Sequence, residues 1–178
     1  METLVSLVFL KPLRDIQFQD VEKLKVNRIC ESQILDYKQN LIEDSKLLKQ
    51  VSAFANTQGG YLIFGIKEKG RGEYPENILG IDTSDINTER LEQIILTGVQ
   101  PRLNVGIRRI DMNSTKSILI IEVPNSYLKP HMNMEDKKFY KRYEFEASPM
   151  TEMEISDAYK RRQIENWASS DLCWKIVA

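Results

Sequence analysis

The chain has 178 residues, of which 42% are hydrophobic and 29% are charged, as in an ordinary globular domain with a substantial core. Its net charge of −1 argues against binding of polyanions through overall charge, although local basic patches are compatible with it. The sequence lacks any run of 18 apolar residues, which excludes a membrane-spanning helix, and we expect a cytoplasmic protein.

The first half of the sequence is predicted to alternate strands and helices. In chain order, the predicted elements are a strand over residues 1–9, a helix over 20–29 with Asp20 as its N-cap, a strand over 34–38, a helix over 41–55 and a strand over 61–66. In the strand over 34–38, Leu35 and Tyr37 face one side, and Asp36 and Lys38 face the other.

A turn is predicted between the second helix and the strand over 61–66. Gly59 and Gly60 indicate a backbone that turns tightly or approaches another segment closely. Phosphate contact by Asn56 and Thr57 is one interpretation, but capping of the helix end by their side chains is the simpler one.

The second half adds an antiparallel element. The predicted elements are a minor strand over 78–81, a helix over 88–96, a hairpin of strands over 103–110 and 117–123, a loop over 124–130, a strand over 139–143 and a helix that begins with a Thr151–Glu154 capping box. We therefore predict an α/β (α+β) fold, with a mixed β-sheet packed by helices on one or both faces.

One domain over residues 1–162 is predicted, followed by a tail over 163–178. The tail carries Trp167 and Trp174, which favours a docking or dimerisation segment. Cys30 and Cys173 lack metal-binding spacing, so we expect reduced thiols and no zinc site of the usual pattern.

Three carboxylates are candidates for a metal site. If Glu31, Asp36 and Glu68 converge at one end of the sheet, their oxygens suit Mg²⁺ or Mn²⁺, and such an ion can promote phosphodiester cleavage. Lys38, on the same strand face as Asp36, is then placed to neutralise charge on a phosphate. Convergence of Glu31 with Asp36 requires a bend near Ser32, and the alternative is ordinary surface charge.

Basic residues are interleaved with aromatic residues near the strand over 139–143. Phosphate contact by its cations and base stacking on a tyrosine suit a nucleic-acid groove, and an edge strand guarded by charge is the alternative. The candidate nucleic-acid-binding residues are Lys67, Lys137, Lys138, Lys141 and Arg142. His131, the only histidine, has no nucleophile motif beside it, so we expect it to lie in a loop without a catalytic role.

Two stretches carry a family resemblance. Residues 31–38 (ESQILDYK) and 51–66 (VSAFANTQGGYLIFGI) resemble the core domain of the Schlafen family, also called the divergent Alba-like DNA-binding domain. The resemblance continues more weakly over residues 20–162 and implies an α/β core, present here as a single lobe, that binds nucleic acid.

The resemblance also implies chemistry. Some vertebrate Schlafen proteins are endoribonucleases that cut transfer and ribosomal RNA with three carboxylates and a divalent metal, and Glu31 and Asp36 occupy the first two acidic positions here. Glu68 is the candidate for the third, although Asp36 stands where Glu is more usual and Lys67 where an acid is common.

The predicted function is a nucleic-acid-binding protein, specifically a metal-dependent endoribonuclease acting on structured RNA such as transfer RNA. A non-catalytic DNA- or RNA-binding module is the main alternative, and a domain that binds protein partners is a third. A homodimer would supply the second lobe that the vertebrate proteins carry within one chain.

Overall fold

The computed structural model describes the backbone of residues 8–174 and the side chains of residues 8–164. The helices in this range are α1 (Phe18–Val26), α2 (Asp44–Asn56), α3 (Thr88–Gly98) and α4 (Glu152–Trp174). The strands are β1 (Leu35–Lys38), β2 (Gly60–Phe64), β3 (Ile66–Glu68), β4 (Pro75–Ile78), β5 (Ile81–Asp82), β6 (Val99–Gln100), β7 (Gly106–Asp111), β8 (Lys116–Val123), β9 (Met132–Asn133), β10 (Lys138–Tyr143) and β11 (Glu146–Pro149).

The first sheet forms the central layer and is mixed. β1 runs parallel to β2, with Leu35 opposite Tyr61, and β2 runs antiparallel to β8. β7 and β5 also pair with β8 in antiparallel register. β1 needs a crossover to reach its parallel neighbour, and α2 supplies it.

Apolar side chains cover both faces of the first sheet because its strands alternate. On one face, Leu62 and Phe64 pack with residues of α2 and α3, such as Phe54 and Ile95. On the opposite face, Leu35, Tyr37, Tyr61 and Ile63 pack with α1 and with the segment that precedes it. The α2 face matters for the candidate site, because α2 also contacts the second sheet.

The second sheet has the strand order β11-β10-β9-β6, with antiparallel pairing throughout. Its central strand β10 packs on α2. Tyr140 and Arg142 are on the buried face of β10, and Lys141 and Tyr143 are on the other face. β3 and β4 form a separate hairpin.

Most predicted elements are present, with shifted ends. The helix predicted over 20–29 begins earlier, at Phe18, so Asp20 is not the N-cap. Its carboxylate accepts the backbone N–H of Gln17. Ion pairs with Lys11 and Lys23 offset the cost of burying this carboxylate. The strand predicted over 61–66 breaks at Gly65, whose positive φ of 96° turns the chain from β2 into β3.

The minor strand predicted over 78–81 is divided, because β4 ends at Ile78 and β5 begins at Ile81. The β7–β8 hairpin and the Thr151–Glu154 capping box are confirmed. Of the strand predicted over 1–9, residues 1–7 lie outside the described residues, and Val8 and Phe9 form a turn.

The mixed sheet with helices on both faces confirms the predicted α+β class. α4 is continuous across the predicted boundary between residues 162 and 163. The side chains of Trp167 and Trp174, and hence the predicted dimerisation contact, lie outside the described ones. Within residues 8–174, none of the helices combines the length and the apolar character needed to cross a bilayer.

Candidate nucleic-acid interface and buried charge cluster

A tight turn at Gln33 and Ile34 brings Glu31 beside β1. Ser32 and Leu35 pair across this turn, and Glu31 Oε1 accepts the backbone N–H of Tyr37 at 2.6 Å. The bend that the sequence required for Glu31 to approach Asp36 is therefore present. The carboxylate of Glu31 also occupies a hydrogen-bonding position on the outer edge of β1, the edge strand of the first sheet.

Glu31 and Asp36 belong to a charge cluster that also contains Lys38 and Arg142. The side chains of Glu31 and Asp36 are only 4% and 2% exposed. Lys38 Nζ lies 2.8 Å from Asp36 Oδ2 and 4.0 Å from Glu31 Oε1, and Arg142 Nη2 lies 3.6 Å from Asp36 Oδ1. Two cations thus face two acidic side chains, as burial of charge requires.

Burial raises the pKa of Glu31 above its ordinary value, and the neighbouring charge of Asp36 raises it further. The hydrogen bond from Tyr37 and the charge of Lys38 oppose this increase without cancelling it. Glu31 therefore takes up a proton more readily than an exposed glutamate does. A proton on Glu31 relieves the repulsion between the two carboxyl groups.

The third predicted ligand is engaged elsewhere. Glu68 ends β3, and its Oε2 accepts the backbone N–H of Gly72 at 3.0 Å inside the β3–β4 hairpin. Among the described side chains, no group of three or more His, Cys, Asp or Glu residues is arranged to hold a metal ion. Asp36 Oδ2 is buried without a hydrogen bond, but the ammonium of Lys38 stands beside it. These residues therefore fit Mg²⁺ or Mn²⁺ only in part.

Arg142 is not a surface contact, contrary to its predicted role on nucleic acid. Its side chain is 0% exposed and lies over the ring of Phe54, 4.3 Å from the ring centroid. Its guanidinium donates to Gln50 Oε1 and to the carbonyls of Ser32 and Phe145. Arg142 therefore joins α2, the turn before β1 and the second sheet.

The end of α2 is tied to the second sheet by Asn56. Its buried amide donates to the carbonyls of His131 and Tyr140, and its Oδ1 accepts the backbone N–H of His131. Thr57 donates to Ala53 O, which is the expected helix-end contact, and also accepts the backbone N–H of Arg142. The Asn56 contact differs from the predicted helix cap because its partners are 75 and 84 residues away in sequence.

His131 is buried and serves as a structural link. Its Nδ1 contacts the Pro101 carbonyl at 2.8 Å, and its Nε2 contacts Ser126 Oγ at 2.7 Å. Burial lowers its pKa, which favours the neutral ring that donates from Nδ1 and accepts the Ser126 hydroxyl at Nε2. The ring holds the loop over residues 124–130 against the chain before β7.

A groove of about 550 Å³ lies where this loop, the exposed face of β10 and the first turns of α4 meet. Polar side chains dominate its lining. Its cations are Lys129, Lys141, Arg161 and Arg162, its carboxylates are Glu154 and Asp157, and its amides are Gln33, Asn56, Gln58 and Asn125. Four cations against two carboxylates make the groove locally basic in a chain whose net charge is −1.

Of the predicted nucleic-acid-binding residues, Lys141 lines this groove. Lys67 lies on the β3–β4 hairpin, 2.9 Å from Glu76, and Lys137 and Lys138 lie at the exposed start of β10. Of the two tyrosines in this strand, Tyr140 is buried and does not offer a ring to a ligand, whereas Tyr143 is exposed.

Sequence reasoning missed the contribution of α4 and of the loop. The run Lys160–Arg162 is a basic cluster in the sequence, but only Arg161 and Arg162 line the groove. Neighbouring residues of a helix point in different directions, so the cluster alone does not indicate which of its side chains do so. Lys129 is adjacent to a proline in a loop, where no periodic pattern indicates which way a side chain points.

One comparison with known proteins identifies a family. A family model described as Schlafen, AlbA_2 matches residues 31–151. The comparison with curated proteins gives no significant match.

Nineteen chains of solved structures match. A crystal structure of a protein from Corynebacterium diphtheriae is 21% identical, with a TM-score of 0.49 over 73% of this chain and 29% of that one. The solution structure of the N-terminal domain of a RecG-related protein from Nitrosomonas europaea is 16% identical, with a TM-score of 0.48 over 85% of this chain and 94% of that one. This chain thus spans less than a third of the Corynebacterium chain.

Proposed function

The chain belongs to the Schlafen, AlbA_2 family, a family of nucleic-acid-binding domains, and on that premise we propose that it binds nucleic acid in the groove between α4, β10 and the loop over 124–130. The observation that carries this proposal is the excess of cations over carboxylates in the groove lining. Phosphate groups bind where local positive charge is concentrated, whatever the net charge of the chain.

The groove also offers neutral donors and acceptors. Gln33, Gln58 and Asn125 line it, and amides bind both sugar hydroxyls and base edges. Lys141 is 3.3 Å from Glu154, so its ammonium is held at the groove wall. This arrangement supports a binding role for the groove without requiring any catalytic group.

The test measures binding of fluorescein-labelled RNA and DNA oligonucleotides at several salt concentrations. We expect affinity to fall steeply with salt, and Arg161→Ala to weaken binding and reduce the slope of log K against log salt by about 1. Arg109→Ala, on β7 outside the groove, is the matched control and should leave both quantities unchanged. Absence of binding at low salt, or equal effects of the two variants, would contradict the proposed function.

A metal-dependent endoribonuclease is the second candidate. The observation that favours it is that Glu31 and Asp36 lie together beside Lys38, because the family resemblance places Glu31 and Asp36 at the first two acidic positions of the nucleases. Glu31 and Asp36 would hold Mg²⁺ or Mn²⁺, with Glu68 as the proposed third ligand, and the ion would polarise a phosphate oxygen.

Cleavage of total transfer RNA distinguishes the two candidates. The protein is incubated with the RNA in Mn²⁺ or EDTA, alongside the double variant Glu31→Ala, Asp36→Ala. Cleavage that needs Mn²⁺ and is lost in the folded double variant supports the nuclease. Intact binding without cleavage supports the non-catalytic module, and cleavage that persists in the double variant rejects this pair as the catalytic site.

A further inference from the structure

Tyr127 is an aromatic side chain exposed at the groove. It is 73% exposed, more than any other aromatic side chain among residues 8–164, and it lines the groove together with Arg161 and Lys141. Large aromatic rings are usually more buried than this in a folded domain. An exposed ring beside cations is the arrangement that proteins use to bind nucleotides by stacking.

The loop that carries Tyr127 is fixed on both sides of the ring. Ser126 Oγ accepts the backbone N–H of Leu128 at 3.0 Å and contacts buried His131 at 2.7 Å. Lys129 Nζ donates to Asn125 Oδ1 at 2.8 Å and also to the carbonyl of Thr57. The backbone on both sides of Tyr127 is therefore anchored, so the loop needs little further ordering when a ligand stacks on the exposed ring.

The amides in the groove favour the same kind of ligand. Gln33, Gln58 and Asn125 can donate and accept at once, which suits the Watson–Crick edge of a base. That edge and the two faces of a base are accessible only when the base is unpaired and unstacked. The volume of about 550 Å³ lies within the range of sites that enclose small molecules, about 300–1,000 Å³.

Resting on the proposed function, we infer that the groove selects single-stranded nucleic acid, with one unpaired base stacked on Tyr127 and the adjoining phosphates near Arg161 and Lys141. A duplex can contact the cations, but its bases are already stacked on one another and do not reach the ring. Selectivity for single strands therefore arises at Tyr127, and affinity for any nucleic acid arises at the cations.

The test compares a labelled single strand with the blunt duplex of the same sequence, using wild-type protein, Tyr127→Ala, Tyr127→Trp and Arg161→Ala. Loss of one stacked base costs about 1–3 kcal/mol, so Tyr127→Ala should weaken single-strand binding about 5- to 150-fold and leave duplex binding nearly unchanged. Tyr127→Trp should retain the preference. Its added indole fluorescence, measured as the difference from wild type, should be quenched by the single strand.

The outcomes separate the two proposals. The inference would be overturned if wild-type protein bound single strand and duplex with equal affinity, or if Tyr127→Ala lost equal affinity for both. The proposed function would still stand in that case, provided that Arg161→Ala weakens the binding of both oligonucleotides. Absence of binding to either oligonucleotide would overturn both. Thermal unfolding of each variant at the wild-type temperature shows that the changes in binding do not come from misfolding.

Discussion

The guanidinium of Arg142 on β10 lies 3.6 Å from the carboxylate of Asp36 on β1, so a buried ion pair joins the second sheet to the first. Phe54 of α2, a residue of the apolar core, lies under the guanidinium. Desolvation lowers the pKa of Arg142, and the charges of Asp36 and Glu31 counteract that effect, so the residue stays charged.

Removal of this cation should destabilise the fold. Arg142→Ala leaves Asp36 with Lys38 alone and removes the hydrogen bonds that the guanidinium donates to the carbonyls of Ser32 and Phe145. We expect the free energy of unfolding, measured by urea denaturation, to fall by about 3–5 kcal/mol. Arg109→Ala, an exposed arginine, should change it by less than about 0.5 kcal/mol, and a similarly small change in Arg142→Ala would refute the structural role.

Glu31 should make the protein less stable as the pH rises. Because its pKa in the folded state is above the ordinary value of 4.5, the folded protein holds a proton that the unfolded chain has released between the two values. Stability from this group is therefore complete below pH 4.5 and decreases as the pH rises through the folded pKa, by at most about 1.4 kcal/mol per pH unit.

Urea denaturation of wild type and Glu31→Gln between pH 5 and pH 9 measures this contribution. The variant keeps an oxygen for the Tyr37 N–H but cannot ionise, so its stability should vary less across the range. Glu22→Gln, an exposed acid on α1, should retain the wild-type dependence. Identical pH profiles for wild type and Glu31→Gln would show that the carboxyl group titrates normally.

The amide of Asn56 should be hard to replace. Asn56→Ala removes three buried hydrogen bonds and leaves two carbonyls and one N–H of the second sheet region unpaired. We expect a loss of about 3 kcal/mol or more in the free energy of unfolding, since each unpaired buried group costs about 1–3 kcal/mol. Asn27→Ala, an exposed amide after α1, is the control, and comparable losses in the two variants would contradict this account.

Lys141 and Lys67 should differ in their effect on binding. Lys141 lines the groove, whereas Lys67 pairs with Glu76 on the β3–β4 hairpin. Lys141→Ala should weaken oligonucleotide binding and lower the salt slope by about 1, and Lys67→Ala should change neither. Fluorescence anisotropy at two or more salt concentrations measures both quantities. A larger loss of affinity in Lys67→Ala than in Lys141→Ala would show that the interface lies at the β3–β4 hairpin instead.

The order of helices and strands could be predicted from the sequence because hydrophobic spacing sets it. The alternation in β1 and β10 also placed Asp36 with Lys38 and Tyr140 with Arg142 on shared faces. Burial of Arg142 was not predicted, because arginine is usually exposed. The available indication was its shared strand face with Tyr140, an aromatic residue suited to the core.

The meeting of Glu31 with Asp36 and the separation of Glu68 from them depend on backbone turns. Gln33 and Ile34 reverse the chain, although neither is a typical turn residue. Gly65 interrupts a run that reads as one continuous strand, and this break redirects Glu68 into its own hairpin. Periodicity locates elements well but does not indicate where a single dihedral angle changes their direction.

Gly59 has a consequence for engineering of the groove. Its φ is 75°, and a Cβ there would meet Val123 O at 2.5 Å and Asn125 N at 2.6 Å, so the turn after α2 is pressed against the start of the loop. The far end of that loop is fastened by Asn56 through the backbone of His131. The segment between these anchors is consequently suited to grafting: exchange of residues 127–128, with Ser126 kept for its contact with His131, should retarget the groove while both attachment points, and the fold beneath them, are retained.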